Sequence, residues 1–468
     1  MKKDLVHKSF ATLLAMLFSA MMPVFSRAYI YNVYDYGAQG DGTTLDSPAI
    51  NAAIDSCVAH GGGQVCLPAG NYLCGSIRLK SNVELHLEAG ATIVAAPASM
   101  NAYDPSEPFG EKEYQDGGHT YFHNSLIWAD GQQNVAITGP GRIDGLGLTK
   151  RDTEKAGNVQ GGSIGTGDKS IALKCCRNIL IRDVTIFRGG HFAIIVTGCE
   201  LGTIDNVTID TNRDGIDIDC CKYLTVSNTK VNTPSDDAIV LKSSYALKRP
   251  VVCENIMITN CVVTGYKLGT LLDGTYQPEK VNWVCGRIKL GTESNGGYRN
   301  VTISNCTCTW SSGLAFEVVD RGIMENITVT NISMQHVHHY PIYITTGCRN
   351  RGPESTDVST ARNIMISHVV AQDVDSLAGI IVTGMEGHPI EHVCLSDIMI
   401  EYRGGGLAEW SQRNYREQGT NYPEPKFAGP TPAYGLYARH VRDLQIHNIF
   451  FQLQRPDGRP DTILEDVE

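Results

Sequence analysis

A short pattern of alternating aliphatic residues recurs along most of the chain and constrains the fold more than any other feature. Its copies read NVAITG from residue 134, NILIRDVTI from 178, LGTIDNVTI from 201, YLTVSNTKV from 223, NIMITNCVV from 255, NVTISNCTC from 300, NITVTNISM from 326, NIMISHVVA from 363, HVCLSDIMI from 392 and DLQIHNIFF from 443. Alternation with a period of two indicates strands. The copies that begin at 178, 201 and 223 are 23 and 22 residues apart. Strands and turns repeated at this interval, without a helical pattern between them, are typical of a β-solenoid with stacked coils.

Two further properties of the repeat predict how the coils are arranged. An Asn begins most copies, and we expect these residues to form ladders at bends, bonded to backbone groups that the turns leave unpaired. The steps from 255 to 300, from 326 to 363 and from 392 to 443 are longer than one coil. These coils should carry inserted loops, and such loops usually build the binding face of a solenoid.

One segment has a clear helical pattern. Residues 46–57 read DSPAINAAIDSC, with apolar residues at helical spacing. Asp46 or Ser47 is suited to cap the helix, and Pro48 falls in its first turn. A short helix over the first coil would protect the open end of the solenoid from edge pairing.

The first 28 residues have the pattern of a secretory signal peptide. A pair of lysines precedes an apolar stretch that ends at Phe25, and Ser26-Arg27-Ala28 offers small residues at the two positions read by a signal peptidase. The stretch is short for a membrane-spanning anchor, which needs roughly 20 apolar residues. We therefore predict cleavage after residue 28 and a protein that is secreted or periplasmic.

Composition and charge narrow the remaining possibilities. No linker or low-complexity run divides residues 29–468, which we predict to form a single β-helix domain. The net charge of −11 argues against a nucleic-acid partner. The 15 cysteines lack paired C-x-x-C or His spacing for zinc, and we expect them to stack inside the core. We also expect a monomer that does not associate with membranes after signal cleavage.

Five aspartates are concentrated on two neighbouring coils. TNRDGIDID carries Asp214, Asp217 and Asp219, and SDDAIVLKS carries Asp236 and Asp237. Asp214 and Asp236 are 22 residues apart, which is one coil, so the two groups should lie side by side. Like charges that close raise at least one pKa, as an acid working near neutral pH requires. Hydrolysis of a polysaccharide needs one carboxylic acid to protonate the leaving oxygen and one carboxylate to activate water.

Strand alternation sets a condition on this candidate site. If the two isoleucines of GIDID face the core, Asp217 and Asp219 point outwards and Asp214 points inwards. Gly215 must therefore interrupt the alternation if Asp214 is catalytic, and glycine permits that backbone change. The alternative role for each aspartate is to cap backbone groups at a turn.

At these residues the chain resembles glycoside hydrolase family 28, the polygalacturonases and rhamnogalacturonan hydrolases. The resemblance runs from about Tyr31 to Phe450 and includes YNVYDYGAQGDGTTLDSPAINAAI, NVELHLEAGATIVAA and NVAITGPGRIDGLG. The N-T-D motif of the family matches Asn212-Arg213-Asp214, and its D-D motif matches Asp236-Asp237. The resemblance implies an all-β, right-handed parallel β-helix of the pectin-lyase type. It also implies hydrolysis of α-galacturonosidic bonds in a pectic polysaccharide, with inversion and without a metal or cofactor.

The same resemblance assigns roles to residues. Asp236 would be the general acid, Asp214 and Asp237 would hold and activate water, and Asn212 would help to shape the site. Inverting carboxylates generally stand about 6.5–9.5 Å apart to admit water.

The sequence departs from the family pattern in two motifs. Members usually carry G-H-G on the coil after the aspartates, but the matching phrase here has Gly286-Arg287. Members also carry R-I-K on a following coil, where this chain has AFE at 315–317. An R-I-K string does occur one coil earlier and begins at Arg287. These departures favour a rhamnogalacturonan backbone, or exo-attack at a chain end, over endo-attack on plain homogalacturonan.

Four basic residues are candidates for binding the substrate. Arg287 and Lys289 project from alternate positions of one strand, which suits a uronate carboxylate. Lys267 and Arg351 are further candidates. The alternative for each is a solvated surface cation. Inserted loops after 255 and 326 could close the groove into a pocket around them.

Two other functions use the same architecture. A pectate lyase would hold calcium with aspartates such as Asp217 and Asp219 and would abstract a proton with a base such as Arg287. A non-catalytic carbohydrate-binding solenoid would explain the repeats equally well. It gives no reason for five carboxylates on two coils.

Overall fold

A computed structural model describes residues 29–149, 165–280 and 283–468. The predicted signal peptide lies outside these residues. Among the described residues, no helix has the length and hydropathy needed to cross a lipid bilayer.

Short strands are the main secondary structure of the described chain. They are β1 (Ile30–Asn32), β2 (Asp41–Leu45), β3 (Gly63–Leu67), β4 (Gly70–Cys74), β5 (Ile77–Arg78), β6 (Val83–Leu87), β7 (Ala91–Ala95), β8 (Ile127–Asp130), β9 (Gln133–Thr138), β10 (Arg142–Asp144), β11 (Lys169–Lys174), β12 (Arg177–Arg182), β13 (Thr185–Phe187), β14 (Phe192–Thr197), β15 (Glu200–Asp205), β16 (Thr208–Asp210), β17 (Asp214–Asp219), β18 (Lys222–Ser227), β19 (Lys230–Asn232), β20 (Ile239–Ser243), β21 (Cys253–Thr259), β22 (Val262–Thr264), β23 (Ile288–Ser294), β24 (Tyr298–Thr309), β25 (Leu314–Val318), β26 (Ile323–Gln335), β27 (Ile342–Thr346), β28 (Thr360–Val374), β29 (Ile380–Thr383), β30 (Ile390–Tyr402), β31 (Leu436–Leu453) and β32 (Thr462–Val467). The single α-helix of the described residues is α1 (Ser47–Ala59), and 3₁₀ turns occupy Val33–Tyr36, Ala98–Met100, Gly117–His119, Ala408–Gln412 and Pro425–Phe427.

Every ladder between these strands is parallel, and most strands pair with the strand three positions later. Sheet A contains β5, β8, β11, β14, β17, β20, β23, β25, β27, β29, the start of β31 and β32. Sheet B begins with β1, β3 and β6, and sheet C begins with β2, β4 and β7. From β24 onwards the strands of sheets B and C join into long bent strands. The predicted right-handed parallel β-helix is confirmed.

The inward-facing residues stack in register from coil to coil. In sheet A, Ile194 pairs with Ile216, which pairs with Ile239 and then Ile288. All four side chains are fully buried. The period-two aliphatic pattern of the sequence is therefore the inner face of each sheet, and it fixes which residues remain on the outer face.

Asparagine ladders run along the bends, as predicted. The side-chain amide of one Asn donates to the side-chain oxygen of the Asn one coil earlier at 2.7–3.1 Å in the pairs 134–82, 178–134, 300–255, 326–300 and 363–326. All these residues have φ between 53° and 64°. The hydrogen-bond partner differs from our expectation, because each Asn side chain bonds to the Asn side chain on the preceding coil and not to a backbone group of a turn. Asn suits this position because it tolerates the left-handed conformation better than other non-glycine residues.

Helix α1 covers the first coil. Ile50, Ala53, Ile54 and Cys57 are buried against the strands beneath it. Asp46 precedes the helix, but its carboxylate accepts hydrogen bonds from the backbone of residues 39 and 40 instead of capping the helix.

The cysteines are free thiols, and most of them are buried. Cys176, Cys199, Cys221 and Cys253 occupy the same position on four successive coils of sheet B, directly before the paired residues of each strand. The predicted stack of cysteines inside the core is confirmed.

Candidate active site

The two aspartate-rich segments lie on adjacent strands of sheet A. Strand β17 begins at Asp214, and Asp236 and Asp237 directly precede β20. The Gly215 amide donates to the Asp237 carbonyl at 3.0 Å, and Ile216 pairs with Ile239 in the following ladder. The predicted adjacency of one coil is therefore confirmed, and the carboxylates gather where these strands begin.

Gly215 interrupts the strand alternation, as the sequence required. A Cβ at this position would lie 2.4 Å from Cγ1 of Val231, a core residue, and 2.5 Å from the Ala238 carbonyl. Gly215 and Ile216 thus both face the core. This leaves the Asp214 carboxylate free to turn outwards, where Arg213 contacts it.

Arg213 bridges the carboxylates of Asp214 and Asp236. Its Nη2 atom lies 3.3 Å from Oδ2 of Asp214 and 3.0 Å from Oδ2 of Asp236. The Asp214 side chain is only 4% exposed, whereas that of Asp236 is 27% exposed. Burial, followed by repulsion from Asp236, raises the pKa of Asp214 to about 7. Asp214 therefore keeps its proton up to near-neutral pH.

Asp237 has the opposite environment. Arg287 donates from Nε to Oδ1 at 2.6 Å, and Nζ of Lys289 lies 3.5 Å from Oδ2. Burial opposes the charge, but Arg287 and Lys289 hold the pKa of Asp237 well below its usual range. Asp237 is thus ionised while Asp214 keeps its proton up to near-neutral pH, so the site holds carboxyls of opposite proton affinity, as acid–base hydrolysis needs.

A buried ion-pair network extends from these residues along the outer face of sheet A. Nζ of Lys242 lies 3.6 Å from Asp217 and 3.5 Å from Glu293. Burial and the nearby Asp214 raise the pKa of Asp217 well above its usual value. Nε2 of His119 lies 3.8 Å from the same carboxylate. Asp217 therefore lies beneath the site without reaching its surface.

Asp219 has a structural role. Its two carboxylate oxygens accept hydrogen bonds from the backbone amide and hydroxyl of Ser244 at 2.8 and 2.6 Å. It is fully buried, as is Asp217. The calcium-dependent lyase alternative therefore lacks accessible ligands at this pair of aspartates.

Two long loops cover sheet A on either side of the carboxylates. The N-terminal wall, residues 96–126, buries Phe122 against Ala172 on β11 and against Phe192 and Ile195 on β14. The C-terminal wall, residues 403–435, buries Tyr415 against Tyr437 over the later coils. The floor between these two packing contacts consists of the strands β17, β20 and β23.

A cavity of about 330 Å³ lies at the edge of this floor. It is lined by Ser235, Asp236, Trp283, Cys285, Arg287, Tyr422, Glu424, Lys426 and Phe427. Asp236 is the one aspartate of the five that borders it. The cavity therefore joins the exposed carboxylate to aromatic and basic side chains from two inserted segments.

Comparison with known proteins places the chain in a family. The model of the family described as glycosyl hydrolases family 28 matches residues 57–420. The chain belongs to this family.

Similar proteins span nearly the whole of this family 28 chain. It is 26% identical to an exopolygalacturonase of Platanus acerifolia over 402 residues, which cover 81% of this chain and 92% of that protein. The structure of an exopolygalacturonase from Thermotoga maritima has a TM-score of 0.68 at 22% identity and covers 91% of this chain and 92% of that one. A family 28 exopolygalacturonase from Yersinia enterocolitica has a TM-score of 0.70 at 18% identity, with coverage of 94% and 78%. The protein is thus a glycoside hydrolase, and it has the same fold as these structures.

The substrate-binding residues predicted for this family 28 enzyme occupy different environments. Asn212 accepts a hydrogen bond from Ser235 at 3.1 Å beside the catalytic segment. Arg287 and Lys289 are 2% exposed, and both pair with Asp237. Lys267 is exposed on the loop after β22. These four roles remain predictions. Because Arg287 and Lys289 are buried, their main partner in this structure is Asp237 and not a ligand.

Arg351, the fifth predicted binding residue, lies at the far end of the ion-pair network. Its Nη1 atom is 3.5 Å from Glu293, and its side chain is 46% exposed. Its role also remains a prediction.

Several site residues were not found from the sequence. His119 and His191 are buried beside the aspartates, and Nη2 of Arg213 lies 3.3 Å from Nε2 of His191. Glu424 pairs with Arg287 at 2.5 Å from 137 residues away. No repeat position marks His119 and Glu424, because the wall loops that carry them are outside the periodic pattern.

Two clusters of the described residues have the composition of metal ligands. Ligand atoms of Asp236, Asp237 and Cys285 lie within 4.8 Å of one another, as do those of Glu107, His123 and Asp130. Arg287 and Lys289 already neutralise Asp237, so a divalent cation would face two positive charges there. Lys174 lies 3.3 Å from Glu107 and has the same effect at the second cluster.

Proposed function

We propose that this family 28 enzyme is a secreted, exo-acting hydrolase that removes galacturonate residues from the end of a pectic polysaccharide. The observation that carries the proposal is the placement of Asp236, which alone among the five aspartates borders the cavity. The names of the similar proteins from Platanus and Thermotoga support the substrate class.

The proposed mechanism uses the different proton affinities of the site. Asp236, which borders the cavity, donates a proton to the glycosidic oxygen as the C1–O bond breaks. Asp237 is ionised and accepts a proton from a water whose oxygen attacks C1 from the opposite face. Asp214 helps to hold this water. Proton exchange with solvent then returns Asp236 and Asp237 to their starting states.

The wall loops support attack at a chain end. The N-terminal wall packs over β11 and β14, and the C-terminal wall packs over the coils from β25 onwards and reaches Arg287 through Glu424. A polymer therefore has only a few coils of sheet A on which to lie. The cavity of about 330 Å³ is at the small end of ligand pockets, which range over roughly 300–1,000 Å³.

The first experiment digests polygalacturonate and rhamnogalacturonan I side by side. We expect reducing ends to appear on polygalacturonate, with galacturonate monomer as the early product, little loss of viscosity and no ultraviolet absorbance from a double bond. A rapid fall in viscosity would contradict exo-attack. Ultraviolet absorbance would identify a lyase, and the absence of products on both polymers would favour the non-catalytic alternative.

Inversion has a separate test, because the oxygens of Asp236 and Asp237 approach within 4.8 Å. This is closer than the roughly 6.5–9.5 Å of inverting carboxylates in general. Proton NMR of the first product formed from an α-linked oligosaccharide should show the β-anomer before mutarotation. Initial release of the α-anomer would establish retention.

Asp236→Asn tests the acid. The amide has similar size but cannot donate an acidic proton, so we expect turnover to fall by about 10²–10⁴-fold, the usual contribution of a general acid. Asp219→Asn is the comparison. The substitution is equally conservative and lies on the coil next to that of Asp236, but Asp219 is buried away from the cavity. Equal loss in both variants at unchanged melting temperature would contradict the proposed role of Asp236.

A further inference from the structure

Almost every cation around the site is already paired with a carboxylate of the protein. Arg213 pairs with Asp214 and Asp236, Arg287 with Asp237 and Glu424, Lys289 with Asp237 and Glu317, Lys242 with Asp217 and Glu293, and Arg349 with Asp320 and Glu293. A uronate entering the cavity beside Asp236 and Glu424 would bring a further negative charge. Its carboxylate needs a cation that is not already engaged in this way.

Lys426 is such a cation. It lies in the 3₁₀ turn Pro425–Phe427 of the C-terminal wall, is exposed, and lines the same cavity as Asp236. It forms no ion pair with any of the residues that the structure describes. Its Nζ atom lies 3.9 Å from the ring centroid of Trp283, which also lines the cavity.

Trp283 is half-buried, and two side chains lie against its ring. The ring of His339 approaches Trp283 at 4.0 Å between centroids, and the Lys426 ammonium lies over the indole. A cation–π contact at an exposed site contributes little free energy. A carboxylate can therefore draw the ammonium off the ring at little cost, which would open the ring to the apolar face of a sugar.

We propose that Lys426 and Trp283 form a subsite that recognises a uronic acid residue next to the scissile bond. Lys426 pairs with the carboxylate, and Trp283 packs against the sugar ring. The proposal rests on the proposed function, because it names what the cavity beside Asp236 selects. It makes Lys426 a specificity-determining residue that takes no part in proton transfer.

Lys426→Gln tests this with matched substrates. A charge-assisted bond contributes about 1.5–3 kcal/mol, so we expect KM for a galacturonate oligosaccharide to rise about 10–100-fold, with a smaller change in kcat. On the same oligosaccharide with its carboxyls reduced to alcohols, we expect a change of less than about twofold, since no charge pair is lost. Lys230→Gln is the control, because Lys230 is an exposed lysine without an ion pair among the described residues, on sheet C. Equal effects of Lys426→Gln on the two substrates would overturn the proposal.

Binding separates this inference from the proposed function. In the Asp236→Asn background, calorimetry with trigalacturonate should show binding that Lys426→Gln weakens about 10–100-fold and that quenches or shifts tryptophan fluorescence. The fluorescence change should disappear in Trp283→Phe. If the wild type hydrolyses no galacturonan but this binding pattern holds, the proposed function fails and the subsite stands. If trigalacturonate does not bind, or binds equally without Lys426, the subsite is refuted.

Discussion

At the scale of single residues, environment divides five aspartates into different roles. The sequence spacing predicted that Asp214 and Asp236 would be neighbours. It also made a break of the strand alternation at Gly215 the condition for a catalytic Asp214. The spacing could not distinguish Asp219, which bonds to Ser244, from Asp236, which borders the cavity. The difference comes from contacts with residues that are remote in sequence or outside the repeat.

The raised pKa of Asp214 predicts a pH dependence. Loss of its proton above a pH of about 7 adds a negative charge to the site that the anionic substrate enters, so kcat/KM should fall as pH rises through about 7. In Asp214→Asn this titrating group is absent, and the fall near pH 7 should disappear. The measurement is a pH profile of kcat/KM for both proteins. An unchanged limb would show that Asp214 does not take part in the titration.

Arg287 should act as a positioning residue through Asp237. Arg287→Gln removes the closer of the two cations that keep Asp237 ionised, so its pKa should rise and the acid limb of the pH profile should move to higher pH. The variant should also be destabilised by about 3–5 kcal/mol, because two buried carboxylates lose their partner.

Arg287→Lys is the conservative comparison and should restore the acid limb at least in part. Glu424→Gln should leave that limb in place, because Arg287 still contacts Asp237. A loss of stability in Arg287→Gln without movement of the limb would indicate a structural role only.

At the scale of elements, the repeat predicted the strands better than the loops. Copies of the pattern fall on β12, β15 and β18 of sheet B because an inner face of aliphatic residues permits only one register. The inserted segments have no period, and their positions depend on contacts such as Phe122 with Phe192. The long intervals between copies of the repeat, from 255 to 300 and from 392 to 443, did predict the loops after β22 and β30 that line the cavity.

The asparagine ladder has a gap that can be filled. Leu201 and Tyr223 occupy the ladder position on β15 and β18, with φ of 57° and 55°, and both are exposed. The left-handed conformation costs a residue other than Gly or Asn about 1–2 kcal/mol. Leu201→Asn combined with Tyr223→Asn should therefore raise the free energy of unfolding by about 1–2 kcal/mol per site, helped by new bonds to Asn178 and Asn255.

Denaturant midpoints of the double variant and of Leu201→Ala with Tyr223→Ala provide the measurement. The alanine variant removes the same apolar side chains without adding an amide, so it should not be stabilised. Equal stability of the two variants would show that the ladder bonds contribute nothing.

At the scale of the whole molecule, the negative net charge of the protein disfavours binding of the acidic substrate that we propose. The chain has a net charge of −11, and galacturonan is a polyanion. Positive charge near the site offsets this repulsion locally. Cations lie on the floor of sheet A, and Lys426 lies at the cavity. Long-range repulsion and short-range pairing should therefore respond differently to salt.

Ionic strength should reveal this difference. The screening length falls from about 30 Å at 0.01 M salt to about 10 Å at 0.1 M, which removes repulsion across the molecule but largely keeps contacts within a cavity. We expect kcat/KM for polygalacturonate to rise over this range and that for the carboxyl-reduced oligosaccharide to stay constant. A fall on polygalacturonate would mean that the cations of the groove already dominate the field at long range. In that case the substrate is attracted to the site despite the net charge, and Lys426→Gln should weaken the salt dependence.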